Sequence, residues 1–340
     1  MDRAKAPVFV LGSPRSGTTF LYNTILSSGN FAVYFAESNV FYQIAPAFGD
    51  LRLRANRSQL LDAWLPSDYF KRTGLKPDEI RERILSDCRN AGDFLRIFME
   101  RIAQNQGVER WAENTPNHLL QIPEIKATIP NALIVHIIRD GRDVAMSLNR
   151  LAEGGPGRRF SWDKEHGLSV SGLYWEWIVR KGRKYGRRLG PDYLEIRYED
   201  LVQHPQETLK VLGEFIHHDM DYERIQKNAI GAVKTPNSSF KDATRQEAFN
   251  PIGRWKGLSG AEAARLQALL RPLLQELGYE VDPSAHLDFT AWRLRAFYLF
   301  YREMKEGLKR NPFGRSLVCR DCLKTGFLDQ GLSYWKGAGY

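Results

Sequence analysis

The chain has 340 residues, of which 43% are hydrophobic and 26% charged, and its net charge is +9. That length allows a sizeable buried core, and the composition is that of a soluble globular protein and excludes a disordered or fibrous one. No apolar run approaches the roughly 20 residues of a membrane helix, and Val8 to Leu11 is too short for the core of a signal peptide, so a cytoplasmic protein without a transmembrane segment is expected.

Pro7 to Leu11 reads as a buried strand ended by Gly12. The helix after it starts near Gly17 and carries Leu21, Ile25 and Leu26 at helical spacing, until Ser27-Ser28-Gly29-Asn30 ends it. Residues 31–37 read as a second short strand with Glu37 at its C-terminal end. Residues 38–110 read as mostly helical and irregular, with a helix start at Lys76-Pro77-Asp78-Glu79 and an amphipathic helix from Asp93 to Gln106. Leu133 to Ile138 is the clearest strand, and a helix from about Asp140 to Leu151 follows. Gly154, Gly155, Pro156 and Gly157 make 152–167 a mobile loop and a candidate lid.

An aromatic-rich helix is expected over 170–185, a third short strand over Tyr193 to Ile196, and helices near 205–217, 221–231, 260–276 and 290–308; residues 233–258 read as irregular. Cys88, Cys319 and Cys322 are too few and odd in number for a disulfide framework. The lone Cys319-x-x-Cys322 pair lacks the second ligand pair of a zinc site, so reduced thiols and no metal are expected. Strands alternating with helices predict an α/β protein with a parallel sheet flanked by helices, which binds ligands at the carboxyl ends of its strands. Residues 1–290 are expected to form one domain and 291–340 a helical extension packed on or beside it.

Gly12-x-x-x-x-Gly17 follows a strand and precedes a helix, the context in which successive backbone N–H groups and a helix N-terminus converge on one anion. A Walker A loop would continue with Lys; here Thr18 stands in that place, and Arg15 inside the loop supplies the positive charge. Nucleoside triphosphate hydrolysis therefore loses support. A basic chain favours an anionic partner, but no dense Lys/Arg block interleaved with aromatics is present, so a nucleotide is expected and a nucleic acid is not.

Pro14-Arg15-Ser16-Gly17-Thr18-Thr19 resembles the 5′-phosphosulfate loop of sulfotransferases that use 3′-phosphoadenosine 5′-phosphosulfate (PAPS), in the branch containing tyrosylprotein sulfotransferases and many bacterial enzymes. Arg139-Asp140-Gly141-Arg142-Asp143-Val144-Ala145-Met146-Ser147 resembles the family's 3′-phosphate segment, which implies that Arg139 and Ser147 hold that phosphate. Arg197-Tyr198-Glu199-Asp200-Leu201 resembles its "RYEDL" segment, with Tyr198 near the adenine or the 3′-phosphate. Gly253-Arg254-Trp255-Lys256 resembles its late "GRW" segment closing over the nucleotide, and either Ser238 or Ser239 would add a serine to the 3′-phosphate; Ser239 is taken here.

The resemblance implies a P-loop-like three-layer fold and an in-line transfer of a sulfuryl group from PAPS to an acceptor hydroxyl, with PAP released. Arg15 would stabilise the leaving phosphate, Ser16, Gly17, Thr18 and Thr19 would hold it, and Glu37 would be the general base. One position departs from the pattern: Glu113-Asn114-Thr115-Pro116 resembles an "EKTP" segment whose lysine is replaced by Asn114. Asn114 brings no charge, so Arg15 carries more of the load or another residue such as His118 substitutes. The acceptor could be a small molecule, glycan, lipid or peptide. Competing expectations are a P-loop kinase, which would need magnesium, and a nucleotide-binding protein without catalysis.

Overall fold

The computed structural model describes residues 2–153, 167–234 and 250–310. Five strands form one all-parallel sheet: β1 (Val8–Gly12), β2 (Phe31–Ala32), β3 (Arg110–Glu113), β4 (Leu133–Ile138) and β5 (Tyr193–Arg197), in the spatial order β2-β3-β1-β4-β5. β1 pairs with β3 on one side and along its whole length with β4 on the other. The chain thus lays β2 and β3 to one side of β1 and then crosses to β4 and β5, so a switch point lies beyond the carboxyl end of β1.

Alternate residues of the central strands point to opposite faces. Phe9 and Leu11 join one core, with the helices of residues 38–110; Val8, Val10, Leu133, Val135 and Ile137 join another, with Leu21 and Ile25. Both faces are covered, which is why β1 and β4 read as unbroken apolar runs. Among the described residues the eight longer helices are α1 (Thr18–Ser27), α2 (Arg54–Trp64), α3 (Ala91–Asn105), α4 (Gly141–Glu153), α5 (Gly167–Gly186), α6 (Pro205–Ile216), α7 (Gly260–Glu276) and α8 (Phe289–Arg310). The protein is an α/β three-layer structure, as expected.

Two strands differ from expectation. The second strand is two residues long, not seven, because the Gln106 side chain takes over its ladder: its amide N–H donates to the Val33 carbonyl (3.0 Å) and its oxygen accepts from the Val33 N–H (2.7 Å). Glu37 therefore sits in a loop past the strand, not at its end. β3 was not foreseen: it starts at the last residue of the stretch 38–110 read as helical and irregular and runs into residues for which no element was expected. Among the aromatics of residues 38–110, Trp64, Tyr69 and Phe70 are buried, and Trp64 packs on Phe70, Phe94 and Phe98 at 5.1, 4.9 and 5.1 Å. Tyr42 and Phe48 pack on the same core, partly buried.

α8 lays one face on α5, where Trp177 Nε1 donates to Glu303 (2.9 Å), Arg295 pairs with Glu176 (2.5 Å) and Arg302 lies over the Trp177 ring at 4.2 Å. Cys88 is a buried free thiol. Residues 154–166 of the expected lid, Ser238, Ser239, Cys319 and Cys322 lie outside the described residues.

Candidate functional site

Four segments meet beyond the carboxyl ends of β1 and β4. The first is the loop between β1 and α1. Gly17 has φ +94°, and a Cβ there would fall 2.3 Å from a ring carbon of Tyr198. A Cβ on Gly12 would fall 2.6 Å from the Ile137 carbonyl oxygen. The two glycines are therefore required by close approach at both ends of the loop, as well as by backbone freedom at Gly17. Arg15, at its crest, also has a positive φ of 72°.

The second segment enters α4 from β4. Arg15 Nε donates to Ser147 Oγ (3.0 Å), and the Arg139 guanidinium donates to the Arg15 carbonyl oxygen (3.2 Å) and to that of Pro251. The third segment begins with Tyr198, whose ring lies under the Arg139 guanidinium at 4.6 Å. The fourth is the turn Arg254–Gly257. Asp143 anchors it, accepting from the Gly253 N–H (2.8 Å) and the Trp255 N–H (2.9 Å), while Arg142 lies 3.9 Å over the Trp255 ring. Arg142 is itself clamped by both oxygens of Asp140, and the Asp140 N–H donates to Glu199 (2.9 Å), which also accepts from the Tyr279 hydroxyl (3.0 Å).

The guanidiniums of Arg15, Arg139, Arg142 and Arg254 gather here with the carboxylates of Asp140, Asp143 and Glu199. Burial, and then the neighbouring Arg139, lower the proton affinity of the Arg254 guanidinium, against the pull of Asp143. The Asp143 carboxyl is raised, chiefly by burial. Arg139 Nε and Ser16 Oγ are buried with no hydrogen-bond partner in the structure. Orphaned buried donors beside clustered guanidiniums suit an anion that accepts from both.

Glu37, Asn114 and Thr19 line one small cavity with Tyr22, Asn23 and Phe35. Glu37 is only partly exposed. Burial and the Glu113 carboxylate push its carboxyl up to about 8, with Arg15 pulling the other way. Of the residues expected at the site, Arg15, Arg139, Ser147 and Tyr198 are in direct contact, and the loop with Thr18 and Thr19 lies beside them. Arg254 and Trp255 lie on the adjoining turn, and Glu37 interacts with Arg15. Lys256 is exposed on that turn.

His118 does not stand in for a lysine at position 114. It is fully buried, with Nε2 accepting from the Phe41 N–H (3.1 Å) and Nδ1 against Glu113 (3.0 Å). Sequence reasoning also missed Asp143 as the anchor of the closing turn. Its place one helical turn before Ser147 on α4, within the motif already singled out, was the available signal.

The fold is P-loop-like α/β, with the Arg15 and Arg139 guanidiniums gathered at the switch point beyond β1. The chain belongs to the Sulfotransferase family, whose sequence model matches residues 7–222. An uncharacterized protein of Aquifex aeolicus (strain VF5) is 27% identical over 221 residues, 62% of this chain; the match spans about a quarter (25%) of that relative. Among solved structures, the sulfotransferase domain of the Synechococcus PCC 7002 olefin synthase is similar with a TM-score of 0.50 at 16% identity, covering 81% of this chain and 96% of that one. The sulfotransferase STF9 from Mycobacterium avium aligns at 16% identity and a TM-score of 0.44, covering 83% and 79% of the two chains. Among the described residues, no helix is long and apolar enough to cross a membrane, and no group of three or more His, Cys, Asp or Glu could hold a metal ion.

Proposed function

We propose that this protein transfers the sulfuryl group of PAPS to a hydroxyl of an acceptor and releases PAP. The observation that carries the reading is the hydrogen bond of 3.0 Å from Arg15 Nε to Ser147 Oγ. It joins a loop shaped for one phosphate to a segment shaped for another, as a nucleotide phosphorylated at both ends of its ribose requires. The backbone N–H groups of Ser16 to Thr19, with the Thr18 and Thr19 hydroxyls, suit the 5′-phosphate. Arg139 and Ser147 suit the 3′-phosphate, and the orphaned Arg139 Nε and Ser16 Oγ fit these roles. Tyr198, Arg254 and Trp255 suit the walls of the nucleotide site, and the family resemblance adds Lys256 and Ser239.

PAPS would supply an activated sulfur, whose bond to the 5′-phosphate oxygen breaks as the acceptor oxygen bonds to it. Arg15 is placed to meet the charge that grows on the leaving phosphate. Glu37 takes the acceptor's proton, and a carboxyl raised to about 8 suits a base working near neutral pH. Asn114, in the same cavity, offers a neutral hydrogen bond where the family often has a cation.

The test is an acceptor screen with labelled PAPS over phenols and alcohols, glycans, lipids and peptides, with and without EDTA. Transfer that survives EDTA, together with loss of turnover but not of PAP binding in Glu37→Gln, is the expected result. A metal-dependent activity would instead point to phosphoryl transfer, and normal turnover by Glu37→Gln would remove the base from the mechanism.

A further inference from the structure

The loop that carries Glu37 has no sheet to hold it. β2 ends at Ala32, and Asn39, two residues past Glu37, has φ 52° in the left-handed region. A buried set of side chains just past β3 supports the loop instead. Glu113 Oε1 accepts from the Ser38 hydroxyl (2.8 Å) and faces the Ser38 N–H at 3.4 Å. Thr115 Oγ1 accepts from the Asn39 N–H (3.0 Å) and donates to Glu113. His118 Nε2 accepts from the Phe41 N–H (3.1 Å), which leaves its proton on Nδ1, donated to Glu113 Oε2 (3.0 Å). The Thr115 N–H completes the shell of Glu113 Oε1 (3.0 Å). Glu113 is 3% exposed, and Thr115 and His118 are wholly buried.

We propose that Glu113 is a positioning residue for Glu37: with Thr115 and His118 it clamps the segment Ser38 to Phe41 against the end of β3 and so fixes where the Glu37 carboxylate meets the acceptor. This rests on the reading of Glu37 as the base. The clamp is built from hydrogen bonds to three amides, at positions 38, 39 and 41, which a packing role would not need. Its hub is an ionised carboxylate, although a neutral acceptor would serve the same donors. Burial works to raise the Glu113 carboxyl, and His118 with the donors of Thr115 and Ser38 outweighs it, holding the carboxyl below its usual range.

The charge kept there reaches Glu37. The groups facing Glu37 are Glu113 from β3, Arg15 from the phosphate loop and Tyr69 from the helix Asp68–Lys71; those facing Glu113 are His118, Tyr22 and Tyr34. Of these neighbours only Glu113 is a second carboxylate, so it disfavours ionisation of Glu37 and keeps the base protonatable near neutral pH.

The test needs no acceptor. In full-length protein labelled with ¹³C at glutamate carboxyls, the Glu37 signal, identified by its loss in Glu37→Gln, should titrate near pH 8. In Glu113→Gln it should move down by about one pH unit as the like charge is removed, with PAP binding retained. Thr115→Val should leave the midpoint in place but speed hydrogen exchange at the amides of 38–41 by about tenfold or more, corresponding to about 1.4 kcal/mol of local opening, and Thr115→Ser should restore protection. An unmoved midpoint in Glu113→Gln, or unchanged exchange in Thr115→Val, overturns the proposal. If Glu113→Gln does not fold, the Thr115 pair decides it alone. Normal acceptor turnover by Glu37→Gln would sink the base reading and leave the clamp measurements standing.

Discussion

Replacing Arg139 by Gln separates two things this side chain could do. Its guanidinium donates to two loop carbonyls, those of Arg15 and Pro251, and stacks on Tyr198, while Nε is buried without a partner. If it reads a 3′-phosphate, the lost interaction is a charge-assisted hydrogen bond in a partly desolvated site, about 1.5–3 kcal/mol. That is roughly a 10- to 150-fold loss in affinity for PAP. Adenosine 5′-phosphate lacks the 3′-group, so its affinity should fall by no more than about threefold, within the few tenths to 0.7 kcal/mol of a slightly loosened loop. Calorimetric titration of both nucleotides into both proteins gives the coupling directly. Equal losses for the two ligands would refute the reasoning and make Arg139 only a brace for the Arg15 carbonyl.

Gly17→Ala should combine about 1–2 kcal/mol of left-handed backbone strain with a Cβ placed 2.3 Å from the Tyr198 ring. PAP affinity should fall at least about 100-fold, equivalent to about 2.7 kcal/mol, and the melting temperature should drop; calorimetry and thermal unfolding check both. Asp143→Ala strips the Gly253 and Trp255 amides of their acceptor, at a cost of about 1–3 kcal/mol. It should weaken PAP binding by roughly tenfold or more, visible as quenched or shifted Trp255 fluorescence on titration. The Glu37 carboxyl is raised in the folded protein, so its proton stabilises the fold below the unfolded-state value and that contribution is lost as pH rises through about 8. Glu37→Gln should therefore be more resistant to urea than the parent at pH 9, with the difference shrinking towards pH 5; a difference that does not change with pH would mean that Glu37 is ionised at no cost.

The part of the candidate site that holds Arg15, Arg139 and Ser147 was legible in the sequence as loops after strands because that logic is local. A strand, a glycine-framed turn and a helix start are written in consecutive residues, and the same holds for Leu133 to Ile138 running into Arg139 and Ser147. Where residues answer to distant partners, the sequence was opaque. Arg110-Trp111-Ala112-Glu113 carries a charge at each end and no apolar run, yet it is a buried strand. Arg110 Nε donates to the Ala6 carbonyl (2.7 Å) and its guanidinium lies 5.0 Å over Phe31, while Glu113 is satisfied by Ser38, Thr115 and His118. Burial of a charge is paid for only in three dimensions, so no local pattern announces it.

Glu37 shows the division most sharply. It was singled out through the resemblance, which implies a carboxylate base downstream of the loop. The sequence by itself determined a parallel α/β chain with a glycine-framed loop after its first strand and a second basic segment after a later one. Only the tertiary structure decided that β1 and β4 are direct neighbours, that Gln106 cuts β2 short, and that a second carboxylate stands beside Glu37. The physical reason is that strand order and like-charge proximity are set by which elements pack together, and that depends on contacts between residues far apart in the chain.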